Sequence, residues 1–321
     1  MISKGVRLKT TPQARINRYQ RRRENLQMKI NNVEIENTFA EAFGMKAAGI
    51  VVTAINEKWA MTAAQTATGF ATSIIGCGCE AGIDMLVPPE DTPDGRPGVQ
   101  ALFFAMSTKD MEKQLMNRIG QCIMTCPTSA CYNAIDSNNR IKIGGKLRFF
   151  GDGFQGSKLT AGRRFWRIPV MDGEFLIEES YSVIKAIGGG NFFILAKDSA
   201  SALAAGEKAI EEMKKVPGVI MPFPGGIVRS GSKVGSRYKG QHVSVNTPYC
   251  PSIRSMVETK LPEGVNAVLE IVIDGLNEEA IKEATQKGII EACIPGVIKI
   301  SAGNYGGNLG PYHFHLREIM K

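Results

Sequence analysis

A single acid inside an apolar run is the first feature with chemical potential. Glu270 sits within Val268-Leu269-Glu270-Ile271-Val272-Ile273, a strand pattern. The two-residue period of a strand puts Val268, Glu270 and Val272 on one face. If that face meets water, Glu270 is an ordinary surface carboxylate. If it is a mostly apolar wall, desolvation raises the carboxyl pKa and keeps the group protonated near neutrality. A protonated carboxyl can donate a hydrogen bond to an oxyanion or pass a proton to a leaving amine.

Two loops carry further candidates. The run from Pro222 to Lys233 is a strand end, a Gly225-Gly226 turn, then Ser230, Gly231, Ser232 and the cations Arg229 and Lys233. Its successive backbone N–H groups suit a carboxylate, phosphate or formyl oxygen, although an ordinary glycine loop has the same composition. Thr92-Pro93-Asp94-Gly95-Arg96-Pro97-Gly98 is a rigid turn offering one acid and one arginine, or a surface turn closed by its own Asp94–Arg96 pair. No Ser or Cys stands in a nucleophile elbow, so covalent catalysis has no support. The seven cysteines form no pair of CxxC elements, and His242, His313 and His315 complete no ligand box with them. Cys122 and Cys126, four apart on a predicted helix, read as core thiols kept reduced in the cytoplasm. His313 and His315 alternate with Tyr312 and Phe314 on a terminal strand, a pattern of edge packing.

The elements that must position these residues alternate between strands and helices. The N-terminal half predicts a strand over 49–55, a helix over 57–68, strands at 72–75 and 99–106, and a helix over 109–123. Met111, Leu115, Ile119 and Cys122 share one stripe of that helix. The middle reads as strands over 146–150, 164–170 and 174–177, with Asp172-Gly173 as a hairpin turn. The C-terminal half contains a weak repeat. A strand over 191–196 and a helix over 200–214 lead into Pro217-Gly218-Val219-Ile220. A strand over 267–273 and a helix over 277–291 lead into Pro295-Gly296-Val297-Ile298. Two such units per half predict an α+β protein of split β-α-β sandwiches with helices on one sheet face. A dinucleotide-binding fold is excluded, because Gly188-Gly189-Gly190 lacks the required spacing and precedes a strand.

At 321 residues, 43% hydrophobic and 22% charged, the chain has the composition of a soluble globular protein. The net charge of +8 is concentrated in residues 1–27, where eight basic residues face Glu24 alone. The rest is nearly neutral, so a basic face for nucleic acid is absent from the body. The head itself reads as a disordered solvated tail, with an unused upstream start before Met28 or an RNA-binding arm as alternatives. The uncharged stretch from Trp59 to Cys79 has bilayer length, but its Gln, Thr and Gly content predicts a helix, a turn and a strand, not a membrane span.

Taken together, these motifs resemble the formylmethanofuran–tetrahydromethanopterin formyltransferase family. The similarity begins at Val33-Glu34-Ile35-Glu36-Asn37-Thr38-Phe39 and runs through Ala67-Thr68-Gly69-Phe70-Ala71-Thr72-Ser73, Glu80-Ala81-Gly82-Ile83 and the Thr92–Gly98 turn. It continues in Arg118-Ile119-Gly120-Gln121-Cys122, Phe149-Phe150-Gly151-Asp152-Gly153, the Pro222–Lys233 loop and Lys299-Ile300-Ser301-Ala302-Gly303-Asn304-Tyr305-Gly306-Gly307. The resemblance implies two ferredoxin-like lobes related by duplication, a proximal one over 28–171 and a distal one over 172–321. It implies Glu270 as the catalytic acid, with Asp94, Arg96, Gln121, Asp152, Pro224, Gly225, Gly226, Ser230, Gly231, Ser232 and Lys233 as candidate substrate-binding residues. Tetrahydromethanopterin and methanofuran or methylofuran are then co-substrates, and no metal, flavin or nucleotide is tightly bound. A homotetramer is implied as well. Gly76-Cys77-Gly78-Cys79-Glu80 and the stretch from Arg163 to Gly173 look more like the bacterial form, a subunit of a formyltransferase/hydrolase complex, in which a non-catalytic assembly role is the alternative.

Overall fold

The computed structural model describes residues 28–321; the basic head lies outside them. Two β-α-β-β-α-β units follow one another. In the first, strand Phe39–Thr53 leads to helix Glu57–Thr68, strands Glu80–Val87 and Gly98–Ala105, helix Thr108–Arg118 and strand Ala130–Asn133. In the second, strand Ile184–Ala196 leads to helix Ser199–Met213, strands Val219–Ile220 and Ala267–Gly275, helix Glu278–Ala292 and strand Val297–Ser301. Numbered within each unit, the strands lie in the order 4-1-3-2 both times, with every pairing antiparallel.

Local chemistry explains the elements. The helices start at Asn56, Ser107, Asp198 and Asn277, whose side chains accept the N–H three residues on. On strand Ala267–Gly275 the fully buried Ile271 and Ile273 pack into the core beneath helices Ser199–Met213 and Glu278–Ala292. Val268, Glu270, Val272 and Asp274 therefore face the opposite side. A separate core, with Phe103, Met111 and Leu115 at its centre, fills the first unit.

Several sequence expectations change. The strand predicted at 49–55 runs from Phe39 to Thr53, because its first half crosses between the units and pairs Phe43–Ala47 with Ile184–Gly188. Residues 72–75 are not a strand. A helical turn, Ile74–Cys77, ends on left-handed Gly78, and the strand begins at Glu80. Residues 146–150 form helical turns as well, with Phe149 and Phe150 exposed. Helix Thr108–Arg118 loosens into a π-turn over Ile119–Ile123, so Ile119 and Ile123 stay buried while Cys122 rotates partly out. The hairpin at Asp172 is present, since Val170 pairs with Gly173. Its second strand, Gly173–Glu178, pairs with Ala130–Cys131, and Phe175, Ile177, Tyr181 and Val183 belong to the first unit's core. All seven cysteines are free; Cys79, Cys131 and Cys293 are buried. No helix among the described residues is long and apolar enough to cross a membrane.

The units are joined by an apolar cluster of Met45, Leu102, Phe104, Ala186 and Ile220 and by buried polar links. Gly218 N–H donates to Asp84 at 2.8 Å and Gly189 N–H to Asp274 at 3.0 Å. Asp274, fully buried, faces Glu80 of the other unit, and its Oδ2 has no other partner. Burial raises the pKa of both carboxyls, and the neighbouring Glu80 charge raises that of Asp274 further. A carboxyl whose folded pKa exceeds its unfolded value lends full stability below the unfolded pKa and costs stability as pH rises toward the folded one. Asp274→Asn keeps the hydrogen bonds without the ionisation. It is expected to flatten the decline in melting temperature between pH 5 and pH 8, by the equivalent of roughly 1 kcal/mol or more at the alkaline end.

Candidate functional site

The open face of the second unit's sheet carries a cavity of about 470 Å³, with Glu270 in its wall. Register sets the floor: Phe193 pairs with Glu270 on one side and Ser301 on the other, so the three side chains form a row across three strands. Tyr249 packs edge-on against Phe193, with ring centres 4.8 Å apart, and Lys260 lies over Tyr249 at 5.9 Å. Asn191, Asn304 and Tyr305 line the far side. Behind Glu270 a narrow cleft of about 30 Å³, room for one water, reaches under Arg229, Ser230 and Gly231.

The glycine loop is stitched to this acid. Val228 N–H donates to Glu270 O at 2.7 Å, and Glu270 N–H returns a bond to Val228 O at 2.9 Å. Gly231, with φ +57°, passes so close that a Cβ there would lie 3.6 Å from Glu270 Oε2 and 2.9 Å from Asn246 Cβ. Only a glycine combines that φ with that clearance. Among the described residues the Glu270 carboxyl has no hydrogen bond and no ion pair, and burial alone pushes its pKa up to about 7. Glu270 thus faces a cavity in which Phe193 and Tyr249 are apolar neighbours and most of the remaining lining is polar.

The other candidates divide. Ser230, Gly231, Ser232 and Lys233 border the space around Glu270. Pro224, Gly225 and Gly226 line a different groove of about 320 Å³ between the units, opposite Phe70, Thr72 and Gly82. The amides of Gly226, Ile227 and Val228 are consumed by Phe223 O, Pro224 O and Glu270 O, so they are not free for an anion. Asp94 and Arg96 form a structural knot in the first unit. The Asp94 carboxylate accepts from Thr53 Oγ1 at 2.7 Å, Arg96 Nε at 2.8 Å and the Tyr132 hydroxyl at 2.9 Å. Burial alone would raise the Asp94 pKa, but these donors hold it below the usual carboxylate range. Arg96 also donates to Thr128 O. Gln121 and Asp152 are exposed on the first unit, within a π-turn and at a left-handed turn end, and neither lines the Glu270 cavity.

Sequence reading missed most of the cavity. Ser301, Gly303, Asn304 and Tyr305 lie in a stretch already noted for its resemblance, without a role assigned. Their loop is held by buried Glu41, which accepts from the N–H groups of Tyr305, Gly307, Leu309 and Gly310. Burial works to raise the Glu41 pKa, and those four bonds bring it below its ordinary value. No local signal marks Glu41, because its partners are more than 260 residues away.

Two family models cover almost the whole described chain. Formylmethanofuran-tetrahydromethanopterin formyltransferase matches residues 28–170, and the model described as its proximal lobe matches 173–319. The chain belongs to the formylmethanofuran–tetrahydromethanopterin formyltransferase family. The name proximal thus falls on the C-terminal portion, opposite to the expectation. A formyltransferase of that name from Methylobacillus flagellatus is 56% identical over 91% of this chain and all of its own length. The solved formyltransferase from Methanosarcina barkeri is similar at 49% identity and a TM-score of 0.87, covering 91% of this chain and all of that one. The formyltransferase/hydrolase complex from Methylorubrum extorquens, solved with methylofuran, has a chain 48% identical with a TM-score of 0.89, covering 92% of this chain and 99% of its own.

The Asp94 knot generates a stability prediction. Asp94→Ala leaves Arg96 and the Tyr132 hydroxyl without their shared acceptor and is expected to destabilise the fold by about 2–4 kcal/mol, read by denaturant unfolding.

Proposed function

We propose that formyl transfer takes place in the cavity around Glu270. The chain is an N-formyltransferase acting between formylmethanofuran, or methylofuran, and tetrahydromethanopterin, as its relatives are named. The N5 lone pair of the pterin attacks the formyl carbon, and a tetrahedral adduct forms with negative charge on oxygen. The adduct collapses by breaking the bond to the carrier nitrogen. The proton lost from N5 matches the one gained by the departing amine, so no net proton is consumed. Glu270 in its neutral form donates a hydrogen bond to the adduct oxygen. The observation that carries this role is a carboxyl with no ionic or hydrogen-bonding partner, raised to about pH 7 by burial and facing a cavity of substrate size. Alignment of the two carriers supplies the rest, on the order of 7–11 kcal/mol at its limit. Ser230, Gly231, Ser232 and Lys233 hold substrate at the same mouth. Pro224, Gly225 and Gly226 border the neighbouring groove, where a second carrier can approach.

The two β-α-β-β-α-β units are read as ferredoxin-like lobes related by duplication, supported by their shared 4-1-3-2 strand order. Their junction is best drawn near Val183, past the hairpin at Met171, since Tyr181 and Val183 pack in the first core. A homotetramer, or a place in a formyltransferase/hydrolase assembly, is the proposed quaternary state; the assembly of the Methylorubrum relative supports the second.

Glu270→Leu, which keeps the bulk of the side chain but removes the donor, is expected to lower kcat by roughly 10²–10³, as for loss of one preorganised oxyanion donor. In the wild-type enzyme kcat/KM should stay level below pH 6 and fall as pH rises through about 7, because the donor is lost on ionisation. Unaltered turnover in the variant, or a profile that rises through that range, contradicts the assignment.

A further inference from the structure

Asn246 stands out among the asparagines that precede helical turns. Asn56 and Asn277 use their side-chain oxygens to cap the following helix, accepting from Trp59 N–H at 3.1 Å and Ala280 N–H at 2.8 Å. Asn246 occupies the same position before the Thr247–Tyr249 turn, yet its side chain caps nothing. Its backbone is fixed instead by the Thr247 N–H bond to Val245 O at 2.8 Å and by its own N–H, which donates to Ser230 O at 3.4 Å. The amide makes no hydrogen bond among the described residues, although an asparagine ahead of a turn ordinarily finds one.

That idle amide is at the reacting end of the site. Asn246 borders both the large cavity and the narrow cleft behind Glu270, and few other residues share both. Asn246 Cβ and Glu270 Oε2 approach the same point above Gly231, at 2.9 Å and 3.6 Å. Gly231 is thus a spacer: any side chain there would fill the gap between the two. Asn246 and Glu270 flank the same glycine and border the same two spaces, so a substrate oxygen bound there can meet both side chains.

We infer that Asn246 is the second oxyanion donor of the reaction, with its side-chain NH₂ group bonding the formyl oxygen opposite Glu270. This rests on the reading of Glu270 above. Two donors converging on one oxygen stabilise charge that appears only in the tetrahedral adduct, so the contribution falls on kcat and not on ground-state binding. No proton moves through the amide; it donates a hydrogen bond throughout. The arrangement also assigns the long segment between strands Val219–Ile220 and Ala267–Gly275 a catalytic purpose, since Asn246 comes from it.

Steady-state kinetics with formylated carrier and tetrahydromethanopterin test the assignment on Asn246→Ala, Asn246→Ser and Asn246→Asp, with Glu270→Leu in parallel. Asn246→Ala should lose about 10²-fold in kcat, as for other oxyanion-hole deletions. Both KM values should stay within about threefold. Asn246→Ser, which restores a short donor, should recover part of the loss, and this guards against a folding defect in the alanine variant. Asn246→Asp places a second carboxyl beside Glu270, so the fall in rate near pH 7 should move to higher pH, a shift that a merely structural residue does not produce. Normal kcat in Asn246→Ala beside an impaired Glu270→Leu overturns the Asn246 assignment alone, as does a raised KM with kcat intact. Normal kcat in Glu270→Leu removes the underlying reading, and the assignment with it.

Discussion

Burial of one carboxyl without a partner is the constraint on which the rest of the site depends. A carboxylate at Glu270, half-buried and without an ionic partner, is disfavoured by desolvation, which pushes its pKa up to about 7. The cost is borne by its surroundings. Phe193 and Tyr249 are its apolar neighbours, and the backbone exchange with Val228 fixes the strand segment that carries it. Reaction chemistry that needs neither metal nor covalent intermediate can be served by such a donor, provided both carriers are held in register.

The two-unit architecture provides that register. Each unit's first strand is long enough to serve its own sheet and to cross into the other, through the pairing of Phe43–Ala47 with Ile184–Gly188. Helices cover one face of the second unit's sheet, which leaves the opposite face for chemistry. That open face is occupied in sequence along strand Ala267–Gly275: Val268 under the Leu261 and Val265 packing, Glu270 at the cavity, and Asp274 locked against Glu80 of the first unit. The raised pKa values of Asp274 and Glu270 are thus features of a single strand, and desolvation is the main cause of both.

Local patterns were legible and long-range closures were not. The alternation around Glu270 identified its strand, and three of the four long helices were placed to within one residue, while the helix expected over 109–123 ends at Arg118 and continues as a π-turn. The repeat of a helix leading to Pro-Gly-Val-Ile identified the second unit's period. Strand Glu80–Val87 escaped because glycines and cysteines precede it and Glu80 and Asp84 interrupt its apolar alternation; those acids are buried by partners in the other unit. Residues 146–150 misled because Lys146-Leu147-Arg148-Phe149 alternates polar and apolar as a strand does, although the backbone there forms helical turns. Asp94 illustrates an ambiguity of function. A turn bearing an acid and an arginine looks the same whether it grips a ligand or its own scaffold, and only the hydroxyls of Thr53 and Tyr132, brought from distant strands, decide it. Glu41 and Asn246 have no local mark at all, since the first acts on a loop at the other end of the chain and the second lies in an irregular segment.

The central claim is most directly tested by observing the Glu270 proton itself. Carboxyl carbons of isotopically labelled glutamate, followed by NMR across a pH titration of wild type and Glu270→Gln, report each ionisation. The account predicts one resonance with a midpoint near 7 that is missing from the variant. A spectrum in which the resonance lost on substitution titrates in the ordinary carboxylate range, near 4, contradicts it.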